Sequence, residues 1–144
     1  MFVLETIWRE VGAGNWPSMM FCLFTGSKLP DFCAAMSREP QPDTGTEFGL
    51  NFLDVYARAL ALNAAVHDGA IMVGRCNPAE PYSIKGWSYR LFPPASTQIT
   101  ETNRGSAFNS CLEMSKVPSV DTTYLVSEGR LHRFIKGSVT PIHF

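Results

Sequence analysis

Two short polar segments contain the residues best suited to chemistry. In the first, His67–Ala70, the acidic turn Asp68-Gly69 leads directly into the apolar run Ile71–Val73. A carboxylate at such a turn can bind a cation or a hydroxyl group, and a glycine beside it lets another molecule approach the backbone. An ordinary turn before a strand is the more frequent explanation of the same pattern.

The second polar segment, Thr100–Ala107, precedes a predicted helix. Within it, Asn103 and Arg104 are followed directly by Gly105 and Ser106. The first turn of a helix has free backbone N–H groups, and together with an arginine these groups suit a phosphate. A plain helix N-cap is again the more frequent explanation.

Motifs of the common enzyme classes are absent from the sequence. It has no GxxxxGKS/T, no GxGxxG after a strand, no GxSxG and no HExxH. The histidines and cysteines lack the spacing of a metal site or of a CxxC pair, so we expect structural histidines and free core thiols. These residues are His67, His132, His143, Cys22, Cys33, Cys76 and Cys111.

Composition and charge are typical of one soluble domain. The chain has 144 residues, 45% of them hydrophobic, and 12 Lys and Arg against 13 Asp and Glu give a net charge of -1. This balance argues against binding nucleic acid or an anionic membrane through bulk charge. The apolar run Met19–Phe24 is too short to cross a bilayer, and Glu5, Arg9 and Glu10 interrupt the region where a signal peptide would be apolar. We therefore expect a single cytoplasmic domain over residues 1–144, with no nucleic-acid or membrane partner.

The first half of the chain predicts a β–α–β unit. The predicted elements are a helix at Phe2–Val11, a buried strand at Met19–Phe24 and a second buried strand at Ala70–Val73. The polar, proline-rich stretch Arg38–Gly45 predicts a surface loop and is a candidate lid. Thr44 and Glu47 have the spacing of a capping box, which predicts a helix from there to about Val66.

The second half adds a strand, a helix and a hairpin. Trp87–Phe92 alternates as a strand with one aromatic face, and Ser106–Lys116 predicts a helix. Tyr124–Val126 and Leu131–Ile135 predict a hairpin that turns at Gly129. The order of elements favours a single-domain α/β fold in which a central mixed sheet, with a right-handed crossover, is flanked by helices.

In their order, these segments resemble the nucleotide-binding domain of bacterial diadenylate cyclases, the enzymes that make cyclic di-AMP. That family carries an Asp-Gly-Ala motif at the start of a core strand, which Asp68-Gly69-Ala70 matches. It also carries a Gly-Thr-Arg-His-Arg segment that opens a helix, where this chain has Thr102–Ser106. The similarity continues through Ser115, Asp121 and the strand end Leu125–Glu128, and it would cover roughly residues 2–137.

The chain departs from the family in its phosphate-binding element. Arg104 matches the first arginine of Arg-His-Arg, but Gly105 and Ser106 stand in place of the histidine and the second arginine. Preorganised cations of this kind stabilise charge in a transition state. Because binding needs the pocket but not every charge-stabilising group, the departure predicts that binding outlasts cyclisation.

The resemblance implies a nucleotide-binding sensor or regulatory domain without cyclase activity. Asp68, Gly69 and Ala70 would meet the ribose or a Mg²⁺ or Mn²⁺ ion held at Asp68. The phosphates would lie against Asn103, Arg104, Gly105 and Ser106. Tyr89 and Phe92 would face the base, although core packing explains these two aromatics equally well.

Two other hypotheses stay open. In the first, the chain is an active diadenylate cyclase or another nucleotidyltransferase in which Asp68 is catalytic and Lys85, Arg90 or Arg75 replaces the missing cations. The resemblance implies that such an enzyme works as a homodimer with two facing sites. In the second, the chain is a protein-interaction module without a small-molecule ligand.

Overall fold

A computed structural model describes residues 3–12, 16–94 and 105–143 of the chain. Within these residues, three α-helices and seven strands form one domain. The helices are α1 (Val3–Val11), α2 (Phe52–Leu62) and α3 (Ser106–Met114), and a 3-10 helix spans Ala64–His67. The strands are β1 (Met19–Thr25), β2 (Cys33–Ala35), β3 (Ala70–Arg75), β4 (Ser83–Leu91), β5 (Val120–Ser127), β6 (Arg130–Ile135) and β7 (Ser138–Ile142).

The strands form a single mixed sheet in the order β2-β4-β3-β1-β5-β6-β7. β1 and β3 are parallel, and every other neighbouring pair is antiparallel. The chain between β1 and β3 contains α2, as a parallel connection requires. The predicted α/β class with a central mixed sheet is confirmed. No helix in the described part of the chain is long and apolar enough to cross a membrane.

Strand β1 lies in the middle of the sheet and is buried on both faces. Phe21 and Leu23 point into the core that also contains residues of α1 and α2. Cys22 and Phe24 point to the opposite face, where they pack with Met114 at the end of α3. The unbroken apolar run in the sequence therefore reflects two cores, one on each side of the strand.

Helix α2 begins at Phe52, so the prediction of a capping box at Thr44 and Glu47 is wrong. Glu47 forms a bridge with Ser83 at the start of β4, and the amide of Phe48 donates to the carbonyl of Tyr82 at 2.9 Å. This segment is therefore extended beside β4 rather than helical. The residue that precedes the helix is Asn51, whose side chain makes no capping hydrogen bond.

Helix α2 also ends earlier than predicted, because Asn63 interrupts it. Asn63 has extended backbone angles of φ -154° and ψ 104°, and its side-chain oxygen accepts from the amide of Ala65 at 3.1 Å. The next four residues form the 3-10 helix, in which Val66 is buried. The interruption turns the chain so that Asp68 and Gly69 immediately precede β3.

Two strands at the edges of the sheet were missing from the prediction. β2 has three residues, too few for an alternating pattern to be visible. β7 follows a tight turn in which Lys136 and Gly137 both have positive φ, like Glu128 and Gly129 in the predicted hairpin. Two consecutive residues with positive φ are typical of the tight turn in a hairpin, so Gly137 carried the signal that was overlooked.

The surface loop at Arg38–Gly45 is fastened to the body of the protein. The indole of Trp87 donates to the carbonyl of Asp43 at 2.9 Å, and the side-chain amide of Asn63 donates to the carbonyl of Pro40 at 3.1 Å. The amide of Gly45 also donates to the carbonyl of Ile84 at 2.7 Å. A segment held at three points along its length is poorly suited to act as a lid.

Helix α1 is held to the sheet by a carboxylate. Tyr124 donates its hydroxyl to Glu5 Oε2 at 2.8 Å, and Arg133 Nη1 donates to both oxygens of Glu5 at 3.0 and 3.1 Å. The side chains of Arg133 and Glu5 are only 24% and 13% exposed. Burial and the bond to Glu5 raise the pKa of Tyr124, so its hydroxyl stays a donor.

We expect Glu5→Ala to lower the free energy of unfolding by about 2 kcal/mol, because it leaves a half-buried guanidinium and a buried phenol without their acceptor. Urea unfolding followed by circular dichroism measures the change. Glu10→Ala, on the exposed side of the same helix, is the control and should alter stability by less than about 0.5 kcal/mol. Equal effects of the two substitutions would contradict the anchoring role of Glu5.

Candidate functional site

The Asp68-Gly69 turn lies at the same end of the strands as Gly105–Ala107, which is the described part of the second polar segment. Ala70, the first residue of β3, pairs with Met20 near the start of β1, and Met20 pairs with Leu125 near the end of β5. Gly105, at the start of α3, lines a cavity with Ser127 at the end of β5, and Phe108 of α3 packs in one cluster with Leu125. The start of α3 and the Asp68-Gly69 turn therefore lie at the same end of the strands, the end at which β1 and β3 begin. We call this end of the sheet the Asp68 edge.

Gly69 is required at the turn by close packing. It has φ 90°, and a Cβ built on it would lie 2.9 Å from the carbonyl carbon of Ser88 and 2.5 Å from the terminal methyl of Met36. Ser88 is fully buried and also has a positive φ, 58°. The turn thus lies directly on the backbone of β4, and only a residue without a side chain fits there.

Asp68 is exposed beside this packing and has a cationic neighbour. Its carboxylate oxygen Oδ2 lies 3.7 Å from Nη2 of Arg38, and the Asp68 side chain is 69% exposed. The backbone amide of Asp68 donates to the carbonyl of Ala65 at 3.1 Å, which fixes the residue at the end of the 3-10 helix. Sequence analysis missed Arg38, since thirty positions that include helix α2 separate it from Asp68 in the chain.

A cavity of about 270 Å³ lies beside the start of α3. Its polar lining residues are Ser127 and Glu128 at the end of β5 and Arg130 and His132 on β6. Gly105, also in the lining, is the exposed N-cap of α3 and has no side chain to cap the first amides. Those amides are donors without a capping side chain, as a phosphate site needs.

Of the predicted phosphate-binding residues, Gly105 and Ser106 lie at this helix start and are exposed. Asn103 and Arg104 lie outside the described residues. Neither Asp68 nor Gly69 is among the cavity's lining residues. Two strand spacings, about 10 Å, separate the start of β3 from the end of β5, a distance that a nucleotide can span but a single phosphate cannot.

The two predicted base-facing aromatics differ in their surroundings. Tyr89 pairs with Ala70 across β3 and β4, so it lies beside the Asp68-Gly69 turn, where it is half-buried. Phe92 is 44% exposed and contacts Phe32 edge-to-face, with ring centroids 6.4 Å apart. Tyr89 is thus better placed than Phe92 to flank a ligand at this edge.

The three candidate replacement cations are divided between the two edges of the sheet. Arg90 is exposed near the end of β4, at the Asp68 edge, and its guanidinium lies 5.3 Å from the centre of the Phe92 ring. Lys85 lines a cavity with Gly26 at the opposite edge. Arg75 is the last residue of β3 and also lies at that opposite edge.

The opposite edge carries a polar network around Asp121. Thr25 and Tyr82 each donate a hydroxyl to Asp121 Oδ2 at 2.6 Å, and the guanidinium of Arg75 lies 4.4 Å from the centre of the Tyr82 ring. Burial and the hydrogen bond to Asp121 raise the pKa of Tyr82 to about 12. Asp121 therefore joins β1, β4 and β5 rather than facing the Asp68 edge.

Ser115, the other residue of the family resemblance in this region, is also structural. It is fully buried, donates to the carbonyl of Leu112 at 2.6 Å and accepts from the amide of Gly137 at 2.9 Å. These bonds fasten the end of α3 to the turn before β7.

The described residues contain no group of three or more His, Cys, Asp or Glu side chains that could hold a metal ion. At the Asp68 edge, Asp68 offers one exposed carboxylate. Mg²⁺ in proteins is commonly held by one or two carboxylates together with phosphate oxygens and water. The single carboxylate of Asp68 is compatible with a Mg²⁺ or Mn²⁺ ion that arrives with a nucleotide.

The four cysteines are free thiols, as predicted, but two of them do not lie in the core, since Cys33 is half-buried and Cys76 is exposed. Cys22 and Cys111 are buried, and burial raises the pKa of the Cys111 thiol to about 12. They are inert core residues at neutral pH. His67, beside the turn, has its Nδ1 within 2.9 Å of the carbonyl of Ala64.

Solved structures with this fold include a hypothetical membrane spanning protein from Bacillus cereus, with a TM-score of 0.67 at 16% sequence identity. That alignment covers 99% of this chain but 62% of the other, so the chain spans less than two thirds of that protein. DacA from Staphylococcus aureus, solved as a double mutant, gives a TM-score of 0.61 at 15% identity, over 99% of this chain and 85% of its own. No family model and no curated protein sequence matches the chain. The fold is therefore like that of the diadenylate cyclase DacA, as the sequence resemblance implies.

We expect Gly69→Ala to lower the free energy of unfolding by about 1–3 kcal/mol more than Gly45→Ala. Both glycines have positive φ, 90° and 97°, so the backbone strain is similar. A Cβ at Gly45 would meet nothing within 4 Å, whereas one at Gly69 meets Ser88. Urea unfolding of the two variants measures the difference, and equal losses would contradict the close packing of the turn on β4.

We expect the stabilising effect of the Tyr82 hydroxyl to decline above about pH 10. An unfolded tyrosine loses its proton near pH 10. The folded pKa of about 12 means that Tyr82 in the native state keeps its proton to a higher pH. Stability therefore falls as the pH rises between these values. The difference in unfolding free energy between the wild type and Tyr82→Phe should shrink from about pH 9 to about pH 11, and a constant difference would show that Tyr82 titrates normally.

Proposed function

We propose that this protein is a nucleotide-binding sensor or regulatory domain related to diadenylate cyclases, without cyclase activity. The observation that carries the proposal is the position of the Asp68-Gly69 turn and the start of α3 at one edge of a sheet with the DacA fold. The same two segments carry the sequence resemblance to the family. A fold match and a motif match that meet at one place support a site there.

In the proposed site, Asp68 binds a ribose hydroxyl or a Mg²⁺ or Mn²⁺ ion that accompanies the nucleotide. The backbone of Gly69 and Ala70 lies against the sugar, since this turn has no side chain to keep a ligand away. Asn103, Arg104, and the amides of Gly105 and Ser106 bind phosphate.

The replacement of two Arg-His-Arg positions by Gly105 and Ser106 supports binding without cyclisation. Stabilisation of a transition state needs interactions stronger than those made with the bound ground state. A helix start with two fewer cationic or imidazole side chains can hold phosphates through its amides but gives less of that additional stabilisation.

A second candidate function is that of an active diadenylate cyclase or another nucleotidyltransferase. The likeness to DacA favours it, and Arg90 is the suggested replacement cation that lies at the Asp68 edge. This candidate needs a homodimer that brings two nucleotide-loaded sites together. It predicts self-association in the presence of ATP and metal, and the formation of a cyclic dinucleotide.

Calorimetric titration with ATP and with cyclic di-AMP, each with Mg²⁺ or Mn²⁺, tests the proposal. We expect saturable binding of at least one nucleotide, weakened about tenfold or more by Arg104→Ala, since a charge-assisted hydrogen bond contributes about 1.5–3 kcal/mol. Arg58→Ala is the matched control, because Arg58 is exposed on α2 and lines a different cavity.

Chromatography of the titrated sample separates the two functions. Recovery of ATP unchanged supports a sensor, and appearance of a cyclic dinucleotide supports the cyclase. If the wild type binds no nucleotide, the resemblance is one of fold only and a ligand-free interaction module becomes the better hypothesis. Equal weakening by Arg104→Ala and Arg58→Ala would place the site elsewhere.

A further inference from the structure

Arg38 lies beside Asp68 but belongs to neither of the segments that carry the proposed function. Its guanidinium nitrogen Nη2 is 3.7 Å from Asp68 Oδ2. The Arg38 side chain is 17% exposed, whereas that of Asp68 is 69% exposed. The pair therefore consists of a largely enclosed cation and a carboxylate that faces solvent.

The position of Arg38 is fixed by β4. Its Nε donates to the hydroxyl of Ser88 at 3.2 Å, and that hydroxyl lies 3.3 Å from the carbonyl of Val66. Arg38 Nη1 donates to the carbonyl of Ser37 at 3.0 Å, and the amide of Met36 donates to the carbonyl of Ser88 at 2.9 Å. Exposed ion pairs contribute little partly because two mobile side chains must be ordered, and here one of the two is ordered already.

This arrangement answers an electrostatic difficulty of the proposed site. An uncompensated carboxylate at Asp68 would repel the phosphates of a nucleotide. The guanidinium of Arg38 offsets that charge without a metal ion. Guanidinium groups also bind phosphate in a planar, two-pronged geometry, so the same group suits the ligand.

We propose that Arg38 neutralises Asp68 and, in the absence of metal, binds a phosphate of the nucleotide, and that a divalent cation which arrives with the nucleotide takes the place of Arg38 at the carboxylate. Arg38 would then be a binding residue that makes up for a cation missing from the start of α3. The inference rests on the proposed function and adds to it a residue and an exchange of ionic partners. It predicts that metal and Arg38 compete for Asp68.

The test is calorimetric titration of ATP into wild type, Arg38→Gln and Asp68→Asn, in EDTA and again in excess Mg²⁺. Without metal, we expect Arg38→Gln to weaken binding about tenfold or more, because a charge-assisted contact is lost. In Mg²⁺ the loss should be smaller, because the metal takes over the charge at Asp68. The gain in affinity on adding Mg²⁺ is therefore larger in Arg38→Gln than in the wild type.

Asp68→Asn should act in the opposite sense without metal. It removes the repulsion and frees Arg38, so metal-free ATP should bind as tightly as to the wild type or more tightly, while the gain from Mg²⁺ falls towards none. Arg58→Gln, which removes an exposed positive charge on α2 beside a different cavity, controls for the loss of one charge and should change all affinities by less than about threefold.

The outcomes distinguish this inference from the proposed function. If the wild type binds no nucleotide, both fail. If the wild type binds but Arg38→Gln and Asp68→Asn weaken binding equally with and without Mg²⁺, the pair is structural and this inference alone fails. Urea unfolding of each variant identifies any loss of folding, and Arg38→Lys, which keeps the charge, should restore part of the metal-free affinity.

Discussion

The parallel pairing of β1 with β3 is the constraint on which the rest of the structure depends. A parallel pair needs a long connection, and the chain between these strands supplies one that contains α2 and the 3-10 helix. The pair is buried on both faces, which divides the core into a layer beneath α1 and α2 and a layer beneath α3. It also brings the starts of both strands to one edge, and so determines where a turn before β3 must lie.

At that edge, the packing of Gly69 on Ser88 converts a local turn into a defined surface. Ser88 has a positive φ and no exposed area, so it is held by its neighbours rather than by its own preference. Its carbonyl binds Met36 and its hydroxyl binds Arg38. One buried serine thus links the Asp68 turn to a segment about thirty residues before it in the chain, and the carboxylate and the guanidinium meet as a consequence.

Local sequence patterns predicted most of the elements but not these long-range contacts. The apolar run of β1, the Asp68-Gly69 turn before β3 and the Gly129 hairpin are visible because their signals lie within a few residues. The helix start predicted at Glu47 is wrong because the spacing of a capping box also occurs in extended segments. Here the bridge between Glu47 and Ser83 keeps the segment extended. The Arg38–Asp68 pair depends on how Ser88 packs, and no spacing in the sequence encodes that.

The charges at the Asp68 edge bear on why this chain would bind a nucleotide and not convert it. Arg38 lies 3.7 Å from Asp68 and in the proposed site would offset its charge, and Arg90 lies over the ring of Phe92. A ligand that brings a divalent cation can exchange partners with the ion pair at little net electrostatic cost, which favours binding. Acceleration of a reaction needs cations that interact more strongly with the transition state than with the bound nucleotide. In the proposed function, a guanidinium that already balances Asp68 would contribute to the first task and little to the second, so Gly105 and Ser106 in place of a histidine and an arginine would reduce catalysis more than affinity.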